Sequence, residues 1–196
     1  SMFAVDWYTE SGERLDVVEA SGETSISNGD VLQLVPSGPG YLTEPNLRMF
    51  NSIVHNAKEQ LTLCSPYFVP EESLLEAITS ACYRGVRVDL FVGEKADQFM
   101  VHHAQSAYYE ALLKAGVRIW EFPAPYVLHS KFVLADPGRE GAVGVLGSSN
   151  MDIRSFSLNY ESSLLVASGE LITALEQLSA NYQAVSRELT LERWAR

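Results

Sequence analysis

The chain has 196 residues, 46% of them hydrophobic and 20% charged, which suits one sizeable core and excludes a disordered polypeptide. It carries 14 basic and 25 acidic residues, a net charge of −11, so an extended polyanion is repelled at long range and nucleic acid is not expected as a partner. No run approaches the ~18 apolar residues of a membrane span and no signal peptide is visible, so this chain is expected to be soluble.

The opening residues do not read as a natural start. Ser1-Met2 has the look of an expression scar, and Phe3 to Tyr8 begins in the middle of an apolar pattern with no cap before it. Residues 9–30 are polar and rich in Gly, Ser, Glu and Asn, which reads as a linker or long loop. We therefore expect a chain cut from a longer protein, with residues 1–30 as the end of a preceding half plus linker and 31–196 as one domain. Val31–Val35 is a short apolar run stopped by Pro36. Leu47, Phe50, Ile53, Val54 and Ala57 recur at helical spacing over residues 44–59. Gln60–Ser65 reads as a strand ended by Pro66. Pro70-Glu71-Glu72 opens a helix with apolar face Leu74, Leu75, Ile78, Ala81 and Cys82, closed by Gly85. Val86–Val92 is the next strand, 95–114 a helix closed by Gly116, and Val117–Phe122 a strand.

Two strands, Val127–Ala135 and Ala142–Leu146, are then joined by the turn residues Asp136 to Gly141. Asn159–Val166 is another strand, and Leu171, Leu175, Leu178, Tyr182 and Val185 mark a last amphipathic helix. Strand–helix alternation followed by a hairpin predicts an α/β fold: a mixed β-sheet sandwiched between helices. The two cysteines, Cys64 and Cys82, have no metal-ligand spacing and read as reduced, buried residues.

His129 and Lys131 are two apart on a predicted strand, so they share a face. An imidazole and an ammonium side by side are relieved by an anion between them, and a phosphate suits both. A solvated surface strand would carry the same pair. Asp136 lies seven strand residues on, more than ~20 Å away and on the other face, so it should hold the hairpin or a neighbouring loop rather than the imidazole. Glu161, in an otherwise uncharged strand, is the best acid to hold the ring; a pairing with Arg154 is the alternative. Gly147-Ser148-Ser149-Asn150 offers close backbone approach and neutral donors to phosphoryl oxygens, although a plain turn has the same composition.

Together, HxKxxxxD at 129–136, GSxN at 147–150 and Glu161 resemble the signature of the phospholipase D superfamily. The connection between Asp136 and Gly147 is longer than the family's usual spacing, at a loop tip that tolerates insertion. Ser37-Gly38-Pro39, Ser65 to Pro70, Arg84-Gly85-Val86, Glu94 to Asp97, Ala115 to Ile119 and Asn150 to Phe156 resemble bacterial cardiolipin synthases of this type. The likeness corresponds to the C-terminal catalytic half of such an enzyme. It implies a phospholipase D-like fold and phosphatidyl transfer between phospholipids such as phosphatidylglycerol, through a phosphohistidine. It implies His129 as one of two site histidines, Lys131, Asn150 and Ser148 as phosphate ligands, Glu161 on a site histidine, and Arg154 and Ser155 in support. No metal or cofactor is implied. The second HxK is missing: His55, His102 and His103 read as exposed helix residues. The expected partner is therefore the N-terminal half of a membrane-associated bacterial parent, or a second copy of this chain. A homodimeric nuclease and a non-catalytic headgroup-binding module are the rival readings.

Overall fold

The computed structural model describes residues 2–16, 29–95 and 99–194, without the side chains of 2 and 99–103. The linker reading of 17–28, the likeness at Asp97 and the exposure of His102 and His103 lie outside the described residues. His55 is exposed, as expected.

An eight-stranded mixed sheet forms the frame, in the order β1-β9-β7-β6-β2-β4-β5-β10. These strands are β1 (Val31–Ser37), β2 (Gln60–Cys64), β4 (Arg87–Gly93), β5 (Arg118–Phe122), β6 (Phe132–Ala135), β7 (Val143–Gly147), β9 (Glu161–Ser168) and β10 (Arg187–Leu189). The pairs β2–β4 and β4–β5 are parallel, and every other pair in the sheet is antiparallel. A separate two-stranded ribbon joins β3 (Phe68–Val69) to β8 (Met151–Asp152).

Two-residue alternation sends side chains to opposite faces. Leu61, Leu63, Val88, Leu90, Val92, Ile119 and Val133 meet Phe50, Ile53, Leu74, Ile78 and Leu112 in one apolar cluster. Those partners come from α2 (Pro45–Asn56), α3 (Glu72–Tyr83) and α4 (Phe99–Ala115). Phe91, Trp120, Phe132, Leu134 and Val166 meet Ile172 and Leu175 of α5 (Glu170–Val185) on the other face. The sheet is therefore sandwiched between helices, as the alternation of elements predicts. Val185, expected on the apolar face of α5, is 56% exposed; Ile172 is buried instead.

Three further departures have local causes. The chain 2–11 is a helix, α1, so regular structure reaches past residue 9, where a loop was expected. β1 runs through Pro36 to Ser37 because it is an edge strand, where a missing N–H breaks no ladder. The strand expected at Val127–Ala135 begins only at Phe132. Its neighbour β2 ends at Cys64, opposite Phe132, and Pro66 follows with no N–H to give, so 127–131 has no strand to pair with on that side among the described residues. The β3–β8 ribbon, a π-helical turn (Arg154–Leu158), β10 and α6 (Leu191–Trp194) carried no sequence signal we used.

Candidate active site

The register brings the motif residues to one end of the sheet. Cys64 at the end of β2 faces Phe132 at the start of β6; Phe132 faces Leu146 near the end of β7; Gly147 faces Ser163 near the start of β9; and Glu161 faces Ser37 at the end of β1. This is the carboxyl end of the parallel strands, the edge where ligands enter open α/β sheets. Asp136 closes β6 at the opposite end, beside Gln60.

His129 and Lys131 lie outside regular strand, yet the alternation survives. Leu128 and Phe132 pack in the α5-side cluster, and the Ser130 hydroxyl lies 2.7 Å from the Tyr182 hydroxyl on α5. His129 and Lys131 are thereby turned to the other side. The Lys131 ammonium donates to the His129 carbonyl oxygen at 2.8 Å and sits 3.4 Å from its Nδ1. Partial burial holds the Lys131 pKa below the usual lysine value, against the opposing pull of the Glu161 charge.

Glu161 is 7% exposed. Its carboxylate accepts from the Ser148 hydroxyl and, at 3.5 Å, from the Asn159 amide. The same Ser148 oxygen accepts from the Ser162 N–H at 3.0 Å, so Ser148 links β7 to β9. The expected bond from Glu161 to His129 is absent among the described residues, and so is the alternative ion pair with Arg154. The reason is topological: β7 and β9 are adjacent strands, so Ser148, just after β7, lies against the carboxylate at the start of β9. Arg154 is exposed and lines a cavity with Asn150 and Asp152.

The Gly147–Asn150 segment is fixed by contact. A Cβ on Gly147 would lie 2.2 Å from the Ser162 carbonyl oxygen. The Asn150 N–H donates to the buried Ser155 hydroxyl at 3.1 Å, and Asn150 Oδ1 has no partner among the described residues. Ser65, buried, accepts from the Met151 N–H at 3.0 Å and donates to the Tyr67 carbonyl at 2.5 Å, which ties the loop after β2 to the Asn150 segment. Sequence reasoning did not single out Ser65 or Tyr182 for these roles; Ser65 entered only as part of a resemblance and Tyr182 only on the apolar face of α5.

Asp136 has left-handed backbone (φ 50°) and accepts from the N–H groups of Lys58, Glu59 and Gln60 at 2.8–2.9 Å. Burial pushes its pKa up, but these three donors and Arg139 outweigh that and hold it below the usual carboxylate value. It clamps the α2–β2 connection at the end of the sheet away from His129. Cys64 is buried, its thiol pushed up by burial and donating to the Ser130 carbonyl; Cys82 is only half-buried.

The fold is shared with known structures. The crystal structure of a phospholipase D family member, Nuc from Salmonella typhimurium, superposes with a TM-score of 0.67 at 15% identity, over 82% of this chain and 99% of that one. The phosphatidylserine synthase of Haemophilus influenzae gives a TM-score of 0.62 at 19% identity, over 94% of this chain but 44% of that one. The architecture is thus phospholipase D-like. Residues 51–182 match the family model described as cardiolipin synthase, phospholipase D-like domain, and the chain belongs to that family. It is 36% identical to cardiolipin synthase A of Yersinia pseudotuberculosis over 98% of its own length and 39% of the relative's. The chain therefore spans about two fifths of the curated relatives it matches. No helix among the described residues is long and apolar enough to cross a membrane.

Proposed function

We propose that this chain supplies one of the two half-sites of an enzyme that makes cardiolipin by phosphatidyl transfer between phospholipids. The observation that carries the reading is the Lys131–His129 pair, with Ser148, Asn150 and Glu161 gathered at the same end of the sheet. A neutral histidine attacks the phosphorus of a phospholipid such as phosphatidylglycerol, and glycerol leaves with a proton from the second histidine. An acceptor hydroxyl then attacks the phosphohistidine and returns a proton to that second ring. Lys131 and the Asn150 amide hold the non-bridging oxygens, as a point charge and a neutral donor. The chain contains a single HxK, so the second histidine comes from another half-domain: the remainder of a longer, membrane-associated bacterial protein, or a second copy. Coverage of 39% of a cardiolipin synthase A supports the first source. Glu161, held by Ser148 and more loosely by Asn159, orients that incoming imidazole rather than His129. Trapping a radiolabelled phosphohistidine in the full-length protein, and losing cardiolipin synthesis in His129→Ala by about a thousandfold, tests this reading.

A homodimeric phosphodiesterase is the second reading, favoured by the superposition that covers 99% of Nuc with this one chain. A net charge of −11 weighs against a nucleic-acid substrate. Sedimentation of the purified chain, with a Lys131-dependent nuclease assay, separates the two.

A further inference from the structure

A cavity of about 320 Å³ opens directly beside His129, between the loops that follow β2, β4 and β5. Tyr67, Gly93, Lys95 and Tyr126 line it, with His129 at one side. Its charge is unusual for this acidic chain: both ionisable groups of basic type on its wall, Lys95 and His129, face no carboxylate among the described lining residues. Three other cavities each include an acid among their lining residues: Glu161, Asp89 and Asp152.

The walls are braced. Glu94, next to Lys95, accepts from the Ala124 N–H at 2.9 Å and from Arg187 at 3.1 Å, which locks the loop after β4 to the loop after β5. A Cβ on Gly93 would lie 3.3 Å from the Lys95 carbonyl oxygen, so the turn that presents Lys95 is tight. Tyr126 and Val127 stand 72% and 71% exposed beside the cavity. The volume is at the small end of the ~300–1,000 Å³ range of ligand pockets. That volume suits a polyol phosphate, and the exposed Tyr126 and Val127 offer apolar surface beside it for acyl chains.

We propose that this cavity holds the headgroup of the acceptor phospholipid, with Lys95 pairing with the acceptor's own phosphate. This rests on the phosphatidyl-transfer reading above and assigns the acceptor-side phosphate contact to Lys95. The acceptor's free hydroxyl then points at the phosphohistidine. Its oxygen forms the new P–O bond as the N–P bond breaks; the bond's electron pair returns to the ring nitrogen, and the hydroxyl proton passes to the other histidine. Lys95 acts at the second phosphate, distinct from the scissile one held by Lys131.

Two measurements test it. In the purified chain, sn-glycerol 3-phosphate titrated by NMR should shift Tyr67, Gly93 and Tyr126, with affinity about tenfold lower in Lys95→Ala and kept in Lys95→Arg. Shifts confined to Lys131 and Asn150, unchanged in Lys95→Ala, overturn the proposal. In the full-length protein, the ratio of transfer to phosphatidylglycerol over transfer to free glycerol should fall about tenfold in Lys95→Ala and recover in Lys95→Arg. A ratio that stays constant while both rates fall marks Lys95 as merely structural and also overturns it. Should the wild-type protein transfer to neither acceptor, the phosphatidyl-transfer reading falls, and the titration by itself upholds or overturns an anion pocket at Lys95.

Discussion

Lys131 folds back on His129: its ammonium donates to the His129 carbonyl oxygen and lies within 3.5 Å of both ring nitrogens. The backbone that follows Ser130 holds the two side chains together. Partial burial makes the Lys131 ammonium costly, and an anion beside it offsets that cost.

Lys131→Met should therefore separate stability from function. Removing a partly desolvated ammonium is expected to raise stability by about 0.5–1 kcal/mol. The same change should lower phosphate affinity at least tenfold. Urea unfolding beside a phosphate titration checks both, and a variant that loses stability contradicts the electrostatic account.

The pH dependence follows from the same shift. The folded-state pKa of Lys131 lies below its unfolded value, so the folded chain releases this proton first as pH rises. Between the two values the unfolded chain binds more protons, so this group's contribution favours folding more as pH rises. Phosphate affinity moves the other way. It should decline at a lower alkaline pH than the ~10.4 of an ordinary lysine, and Lys131→Arg should remove that decline.

Asp136 is expected to matter for stability. Asp136→Ala leaves three backbone N–H groups without their acceptor and places alanine at a positive φ, a loss of about 3 kcal/mol. The carboxylate's pKa is depressed on folding, so its stabilisation is present above the unfolded value of ~3.9 and is lost as pH falls through the folded one. Asp136→Asn should flatten that acid limb in a thermal-melt series.

Gly147→Ala tests the packing behind the Ser148–Asn150 segment. The added methyl meets the Ser162 backbone, which cannot rotate away as a side chain would. We expect a loss of about 2–3 kcal/mol, with displaced Ser148 and Asn150 amide resonances. An unchanged melting curve contradicts the close approach.

Ser148→Ala removes the donor on Glu161 and the acceptor for Ser162 N–H. A loss of about 1–2 kcal/mol is expected. Glu161→Gln should retain the fold yet lower turnover of the full-length protein about a hundredfold, if the carboxylate orients a histidine. Equal losses in melting temperature and turnover in both variants would assign the pair a structural role only.

The sequence by itself carried most of the frame and named residues that the fold gathers at one end of the sheet. Apolar spacing at Leu47 to Ala57 and Leu74 to Cys82 marked α2 and α3, because burial on one face requires a period of 3.6, and the run Gln60–Ser65 before Pro66 marked β2. The two-residue spacing of His129 and Lys131 put them on one side even though no strand forms there, since Leu128, Ser130 and Phe132 are anchored on the other. Seven residues of separation likewise removed Asp136 from the imidazole, and the register of β6 against β2 puts it at the far end. Tertiary structure decided what depends on long-range neighbours. Glu161 bonds Ser148 because β7 lies beside β9, the strand at Val127–Ala135 is shortened because β2 stops at Cys64, and Lys95 joins His129 because β4 and β5 end together. None of these contacts has a local sequence period, so only the order of strands in the sheet could reveal them.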